Sequence, residues 1–123
     1  TDYSDALVGD FNNDHRLDVA YGSNTNSGIF VALGLGDGNF QAERKFSPLT
    51  LSPIIVVAAG DFNGDNNLDL FLIGYGAGYM AAVFGTGNGT FESSTVFYSN
   101  SLIVPKAAAV VDLNNDHWLD VIV

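Results

Sequence analysis

Three short acidic segments carry the residues of this sequence that could do chemistry. Each has the form Asp-x-Asn-x-Asp-x-x-x-Asp, and the three begin at residues 10, 61 and 112. Carboxylate and amide oxygens at alternate positions of a tight turn can face one centre, and Ca²⁺ takes about six to eight such oxygen ligands. Carboxylates packed this closely also repel one another unless a cation lies between them. The segments therefore predict three divalent-metal sites.

The predicted ligands are the side chains at loop positions 1, 3, 5 and 9 and the backbone carbonyl at position 7. They are Asp10, Asn12, Asp14, Arg16 and Asp18 in the first loop; Asp61, Asn63, Asp65, Asn67 and Asp69 in the second; and Asp112, Asn114, Asp116, Trp118 and Asp120 in the third. An all-oxygen set without cysteine disfavours zinc, copper and iron, and the strict octahedron of magnesium makes it the weaker candidate. The predicted cofactor is Ca²⁺, up to three ions.

The sequence of these loops has two other possible interpretations. EF-hand and dockerin loops begin in the same way, but they place the last acidic ligand at position 12 and open a helix. Here the last carboxylate is at position 9, and strand-like residues follow it. Turns rich in Asp and Asn can also be held by Asx hydrogen bonds without any metal. Three copies in one register favour metal over that alternative.

The loops belong to an internal repeat, since each begins 51 residues after the one before. The same offset relates the glycine turn at residues 34–40 to that at residues 85–91, and Phe46 to Phe97. A fixed period of this length predicts stacked copies of one structural unit. We therefore divide the chain into unit 1 (residues 1–51), unit 2 (residues 52–102) and the partial unit 3 (residues 103–123).

The segments that must position the loops are predicted to be β-strands, because they are short, β-branched or apolar, and separated by turn residues. No convincing stretch shows helical periodicity. The predicted strands are Ala6–Gly9, Leu17–Tyr21, Ile29–Leu33 and Ala42–Phe46 in unit 1; Ile54–Gly60, Leu68–Ile73, Tyr79–Phe84 and Ser94–Tyr98 in unit 2; and Ala107–Val111 and Leu119–Val123 in unit 3. Turns at residues 23–28 and 74–78 separate the second strand from the third. Four strands in a unit predict a propeller blade.

The composition removes several classes of function. Fourteen acidic residues against four basic ones give a net charge of −10, which disfavours binding to nucleic acid. No apolar run reaches the ~20 residues of a membrane-spanning helix. The chain has no cysteine, so disulfides cannot hold the loops. Because it begins at Thr1 without a leader, we expect a processed or excised piece of a longer protein.

The sequence resembles the FG-GAP and VCBS repeats of integrin α-subunit propellers and of many secreted surface proteins. The likeness lies in the runs from Gly9 to Asp18 and from Gly60 to Asp69, and in the glycine turns that end in Phe40 and Phe91. In unit 3, Val111 replaces the glycine and Leu113 the phenylalanine. The resemblance implies an all-β, calcium-stabilised propeller whose roles are adhesion, recognition or scaffolding.

About 2.4 units cannot close a ring, since the smallest propellers have about four blades. The expected partners are therefore further repeats of a longer chain or other copies of the same chain. The open edge at residues 121–123 is a template for another strand, and head-to-tail pairing that does not close would give a filament.

Three functions remain open from the sequence. The leading hypothesis is an extracellular or cell-surface structural or adhesion module, where millimolar calcium would fill the loops. A glycan-binding propeller is the alternative, with Tyr21, Tyr75, Tyr79, Tyr98 and Trp118 as possible stacking residues. An enzyme is disfavoured, since His15 and His117 share loop position 6 with Asn66. Asn88 begins the only glycosylation sequon.

Overall fold

The computed structural model describes residues 3–23, 25, 28–47, 54–74, 79–98 and 108–122. The described residues form strands joined by turns and contain no helix, so the all-β prediction is confirmed. The ten strands are β1 (Tyr3–Gly9), β2 (Asp18–Ser23), β3 (Ile29–Ala32), β4 (Arg44–Phe46), β5 (Ile54–Gly60), β6 (Asp69–Gly74), β7 (Tyr79–Gly85), β8 (Phe91–Tyr98), β9 (Ala109–Val111) and β10 (Asp120–Ile122).

The strands form three open antiparallel sheets, one for each unit. The orders are β1-β2-β3-β4 in unit 1 and β5-β6-β7-β8 in unit 2, and β9 pairs with β10 in unit 3. Within each sheet, consecutive strands are neighbours, because short connections allow each strand to fold back beside the one before. This is the four-stranded blade that the repeat predicts, and no sheet among the described residues closes on itself.

Several strand ends differ from the sequence-based expectation. β1 begins three residues before Ala6, with an irregularity in its pairing between Tyr3 and Ala6. β8 begins at Phe91 rather than Ser94, because Phe91 already pairs with Gly85 across a second irregularity. The predicted turn residues 24, 26–27 and 75–78 and the predicted strand residues Ala107 and Val123 lie outside the described residues.

How many residues of a strand are buried depends on whether other units cover one face of its sheet or both. All six residues of β6 are buried, whereas β2 has partly exposed Val19 and Tyr21 between its buried residues. The sheet of unit 2 lies between unit 1 and the strands of unit 3, with contacts from β5 to β1, β2 and β9. A strand covered on both faces becomes apolar throughout, and one covered on a single face alternates.

The main core lies between units 1 and 2. Its buried members are Phe11, Ala20, Ile29, Val31 and Leu33 from unit 1, and Ile54, Val56, Leu70, Leu72 and Val83 from unit 2. Phe91 of unit 2 packs edge-on against Phe11 and Phe46, with ring centroids 6.2 and 5.7 Å away. A smaller cluster around Phe71 joins unit 2 to unit 3. Burial between the sheets is therefore what holds the units to one another.

The glycine before each of the first two loops has a packing reason. A Cβ on Gly9 would lie 2.7 Å from Leu68, and one on Gly60 would lie 2.5 Å from Leu119, in each case a leucine of the next unit. Val111 stands at the equivalent place in unit 3 and is 42% exposed. Glycine is thus found where a following unit packs closely.

None of the described residues belongs to a helix that is long and apolar enough to cross a membrane.

Candidate metal-binding loops

The aspartates at position 9 of units 1 and 2 lie inside the protein, at the base of the loops. The side chains of Asp18 and Asp69 are fully buried. The N–H of Phe11 donates to Asp18 Oδ2 (2.8 Å), and the N–H of Gly34 donates to Asp18 Oδ1 (2.8 Å). Asp69 accepts the two corresponding bonds in unit 2, at 2.7 and 2.8 Å. Each buried carboxylate therefore ties the start of its loop to the start of the glycine turn in the same unit.

Positions 1, 3 and 5 come together on the outer side of each loop. In unit 1 the N–H of Asp14 is shared between Asp10 Oδ1 (3.1 Å) and Asn12 Oδ1 (3.2 Å). The side-chain amide of Asn12 donates to Asp14 Oδ2 (3.0 Å), and the N–H of Arg16 donates to Asp14 Oδ1 (2.9 Å). The loops of units 2 and 3 repeat all four bonds at 2.8–3.2 Å. The three loops thus share one hydrogen-bonded design.

The backbone of every loop turns left-handed at positions 4 and 6. The residues there have φ between 58° and 79°, and they are Asn13, His15, Gly64, Asn66, Asn115 and His117. Glycine and short polar residues tolerate this conformation best. The histidines at position 6 therefore have a backbone role that the sequence analysis did not predict.

The carboxyl groups of the loops differ in how strongly they favour ionisation. Burial raises the pKa of Asp69, although two backbone N–H donors oppose the change. The N–H of Asn67 is the main cause that lowers the pKa of Asp65. In Asp10 desolvation is the largest single effect and raises the pKa, but the backbone N–H groups of the loop outweigh it, so that the pKa is lowered. The carboxyl groups of Asp10 and Asp65 are thus ionised at neutral pH and attract cations.

The donor set fits a hard cation such as Ca²⁺ in its chemistry. The side chains at positions 1, 3, 5 and 9 are all oxygen donors, and each carboxylate oxygen that accepts one hydrogen bond keeps a second lone pair. In the part of the chain that the structure describes, no three acidic or histidine side chains converge as a ready-made metal cage. Position 9 instead bonds to the backbone, and the outer bonds are of the Asx type. The ligand sets therefore remain a prediction.

The loops are also linked from unit to unit, a feature that the sequence analysis missed. The side-chain amide of Asn13 donates to Asn67 Oδ1 (2.9 Å), and the N–H of Gly89 donates to the carbonyl of Phe11 (2.8 Å). Between units 2 and 3 the equivalent contact is apolar, since a Cβ on Gly64 would lie 3.0 Å from the ring of Trp118. Only the recurrence of glycine in the turns could have pointed to such close contacts.

The aromatic residues considered for glycan stacking have different surroundings. Tyr79 is buried, at 1% exposure, and Tyr21 is stacked on a neighbouring phenylalanine with centroids 5.4 Å apart. Trp118 is 55% exposed. Tyr75 and the side chain of Tyr98 lie outside the described residues. Among the described aromatic residues, Trp118 is the one best placed to meet a ligand.

The glycine turns place Asn88 at an exposed position. Its Oδ1 accepts the N–H of Thr90 (3.0 Å), just as Asp37 Oδ1 accepts the N–H of Asn39 (3.0 Å) in unit 1. An exposed turn is accessible to modifying enzymes. Glycosylation at Asn88 stays a prediction.

The fold and the loops define a class: a tandem-repeat protein whose units are four-stranded, propeller-type blades with an acidic loop between the first two strands. The profile of the FG-GAP-like repeat matches residues 10–72 and again residues 61–123. Because these segments together cover nearly the whole chain, the protein belongs to the FG-GAP-like repeat family, as the resemblance indicated. Repeats of this family are typical of extracellular, adhesion-type modules. Comparison with curated proteins and with solved structures finds no match.

Proposed function

We propose that this chain is a calcium-stabilised structural or adhesion module. The observation that supports the proposal is the recurrence of one loop design every 51 residues, with three carboxylates in each copy. Calcium would supply the positive charge that the clustered carboxylates lack. The residues that would hold it are those at positions 1, 3, 5 and 9, with the carbonyl at position 7. The ion would fix the turn between the first two strands of each unit.

A location outside the cell belongs to the same proposal. FG-GAP-like repeats are typical of extracellular proteins. Loops of modest calcium affinity, with Kd of roughly 10⁻⁴–10⁻³ M, are filled at extracellular calcium concentrations. In that setting the ion is a constant part of the structure rather than a signal.

Assembly through open blade edges completes the proposal. β10 pairs with β9 on one side, and no strand among the described residues pairs with its other side. Such an edge accepts a strand from another repeat, either in a longer chain or in a second molecule. Contacts of this kind build rings or filaments, depending on whether the rotation between units closes.

The module is proposed to be non-catalytic. The two histidines of the chain, His15 and His117, are at position 6 of their loops, where unit 2 has Asn66 and the backbone is left-handed. A general base would need to lie beside a substrate site rather than at a repeated, replaceable turn position.

Calcium-dependent stability tests the central claim. We expect the melting temperature to fall when EDTA removes calcium and to rise again when calcium is restored. At free calcium about ten times Kd, each occupied site would add about 1.4 kcal/mol to the free energy of unfolding. For a chain of this size, each added kcal/mol raises the melting temperature by about 3–5 °C. Scanning calorimetry with calcium, with magnesium and with EDTA measures the effect.

Matched variants show whether the loops are responsible. Asp10→Asn removes one predicted ligand charge and should reduce the calcium-induced rise, whereas Asp37→Asn changes an aspartate outside the loops and should leave the rise intact. Equal melting temperatures in calcium and in EDTA would contradict the proposal. Equal stabilisation by magnesium would contradict the choice of calcium.

Glycan binding is the second candidate, and the exposed ring of Trp118 favours it. Trp118→Ala should then abolish binding on a glycan array while the melting temperature stays close to that of the parent chain. An array without any binding would exclude this role for the sugars it carries.

A further inference from the structure

The turn that joins β7 to β8 contains the sequon Asn88-Gly89-Thr90, which lies outside the acidic loops. The corresponding turn of unit 1 reads Asp37-Gly38-Asn39 and is not a sequon. The two turns nevertheless have the same backbone. The N–H of Thr86 donates to the carbonyl of Thr90 (3.0 Å), just as residue 35 donates to residue 39 in unit 1 (2.9 Å). Two glycines of each turn have φ between 77° and 88°, and they are Gly36, Gly38, Gly87 and Gly89. The turns therefore differ in their side chains alone.

The glycines on either side of Asn88 face the protein. A Cβ on Gly89 would lie 2.8 Å from the side chain of Leu33 in unit 1, and one on Gly87 would collide with Asn67 Oδ1. Asn88, between them, is exposed. The turn thus packs through its glycines and turns its asparagine to solvent.

Stacking of a following unit does not cover this position of the repeat. Asp37 has the same place in unit 1 and is exposed, although the sheet of unit 2 packs against unit 1 through the main core. Asn88 therefore has open space around it in a longer array as well. Such a position has room for a bulky polar group.

The amide of Asn88 is held by its oxygen. Oδ1 accepts the N–H of Thr90 (3.0 Å), and the hydroxyl groups of Thr90 and Thr86 each lie 2.6 Å from it. Because a backbone N–H can only donate, the atom that faces it is the oxygen, and the orientation of the amide is fixed. Nδ2 has no hydrogen bond to the part of the chain that the structure describes. This nitrogen can carry a substituent without loss of a bond in the fold.

Both hydroxyl groups are particular to unit 2. The residues 51 positions earlier are Leu35 and Asn39, and neither has a hydroxyl group. A sequon requires Thr90 but places no demand on Thr86. The second hydroxyl thus adds a hydrogen bond on the oxygen side of the amide, opposite the nitrogen that a sugar would occupy.

We propose that Asn88 carries an N-linked oligosaccharide. The co-reactant is an oligosaccharide linked to a lipid through a diphosphate, as the secretory pathway supplies it. Nδ2 forms a bond to the anomeric carbon of the first sugar, the bond from that carbon to the diphosphate oxygen breaks, and Nδ2 loses one proton to a base of the transferase. Modification of Asn88 rests on the proposed location outside the cell, and it does not depend on calcium in the loops.

Mass spectrometry of the chain from its natural source is the direct test. Cleavage after Lys45 and Lys106 places Asn88 on a single peptide, residues 46–106. We expect this peptide to carry one oligosaccharide, and we expect peptide N-glycosidase to remove it and to leave an aspartate at residue 88. An unmodified Asn88 in the natural chain would overturn the proposal.

Two variants, secreted from eukaryotic cells in culture, provide matched controls. Thr90→Ala keeps Asn88 but destroys the sequon, and it should be secreted without the oligosaccharide. Asp37→Asn combined with Asn39→Thr builds a second sequon on the equivalent turn of unit 1, and this chain should carry two oligosaccharides. An oligosaccharide that persists in Thr90→Ala would lie elsewhere and would overturn the proposal. A double variant modified only in unit 1 would overturn it as well.

Melting of the same preparations keeps this proposal apart from that for calcium. Since Nδ2 is not used by the fold, we expect the melting temperatures of the chain before and after removal of the oligosaccharide to agree within about 2 °C. A chain without oligosaccharide whose melting temperature falls in EDTA would overturn the modification of Asn88 and leave the calcium proposal standing. A modified chain that melts at the same temperature in calcium and in EDTA would do the opposite.

Discussion

In each complete unit, the aspartate at loop position 9 links two segments of the backbone by hydrogen bonds. Asp69 is fully buried and accepts the N–H groups of Phe62 and Gly85, at 2.7 and 2.8 Å. A buried carboxylate with two backbone donors is stabilising as long as both bonds exist, and leaving one donor unpaired is costly. The position 9 aspartate thus stabilises the fold in addition to any role as a metal ligand.

Asp69→Asn tests this hydrogen-bonding role. The amide keeps one acceptor oxygen and turns an N–H₂ group towards a backbone donor, so we expect the free energy of unfolding to fall by about 1–3 kcal/mol. Urea unfolding in EDTA measures it without a contribution from calcium. The control is Asp65→Asn in the same loop, whose side chain is exposed and should matter much less. Equal losses for the two variants would contradict the assigned role.

The carboxyl group of Asp37 makes the stability of the glycine turn in unit 1 depend on pH. The N–H of Asn39 lowers the pKa of Asp37 below its usual value. A group with a lowered pKa in the folded state adds stability above its unfolded pKa of about 3.9, and that stability is lost as the pH falls through the lower, folded value.

Asp37→Asn should therefore change stability more at pH 7 than in acid. Unit 2 has Asn88 at the same place, with the same hydrogen bond at 3.0 Å, so the turn itself tolerates the amide. We expect the parent chain to be slightly more stable than the variant at pH 7 and the difference to be smaller at pH 3. Urea unfolding at the two pH values checks this, and a difference that grew in acid would contradict it.

At the scale of elements, the loops and glycine turns of neighbouring units interlock. The glycine turn of unit 2 donates the N–H of Gly89 to the carbonyl of Phe11, and the loop of unit 1 donates from Asn13 to Asn67. Position 4 of one loop therefore lies against position 7 of the next. The same pair of positions in units 2 and 3 is Gly64 and Trp118, where the indole ring lies close to the glycine backbone.

Asn13→Gly isolates the hydrogen bond between loops. Glycine is the residue at this position in unit 2, and it accepts the left-handed backbone, so the variant loses the bond without adding strain. We expect unit 1 and unit 2 to separate more easily, with a loss of about 0.5–1.5 kcal/mol in the free energy of unfolding.

Asn115→Gly is the control for this variant. Asn115 has the same loop position and φ of 58°, and its side chain has no hydrogen bond to the part of the chain that the structure describes. The difference between the two variants, measured by urea unfolding, is the contribution of the bond. Identical losses would show that the bond between the loops adds nothing.

At the scale of the whole molecule, stability depends on the surface between units. Stacking of units buries the apolar faces of the sheets, as expected for repeat proteins. Phe91 is central to this surface because its ring contacts Phe11 and Phe46. Phe40 has the same place in unit 1, but no unit among the described residues covers it, and it is 48% exposed.

Phe91→Ala should consequently cost far more than Phe40→Ala. Truncation of buried phenylalanine costs about 3–5 kcal/mol, and for the partly buried Phe91 we expect about 2–4 kcal/mol. For Phe40 we expect less than about 1 kcal/mol. Thermal and urea unfolding of the two variants provide the comparison. A larger loss for Phe40→Ala would contradict the assigned stacking of units 1 and 2.

The sequence by itself determined the strands, the repeat and the acidic loops, because alternation, turn residues and a 51-residue period are local or periodic features of the chain. It could not tell Phe40 from Phe91, since the two have the same type and the same place in the repeat. Tertiary structure decided that one ring is covered and the other exposed. It likewise decided that the carboxylate of Asp18 meets the N–H of Gly34, and that Asn13 meets Asn67. The physical reason is that these contacts depend on which surfaces face each other after the sheets stack, and residue type alone does not record that.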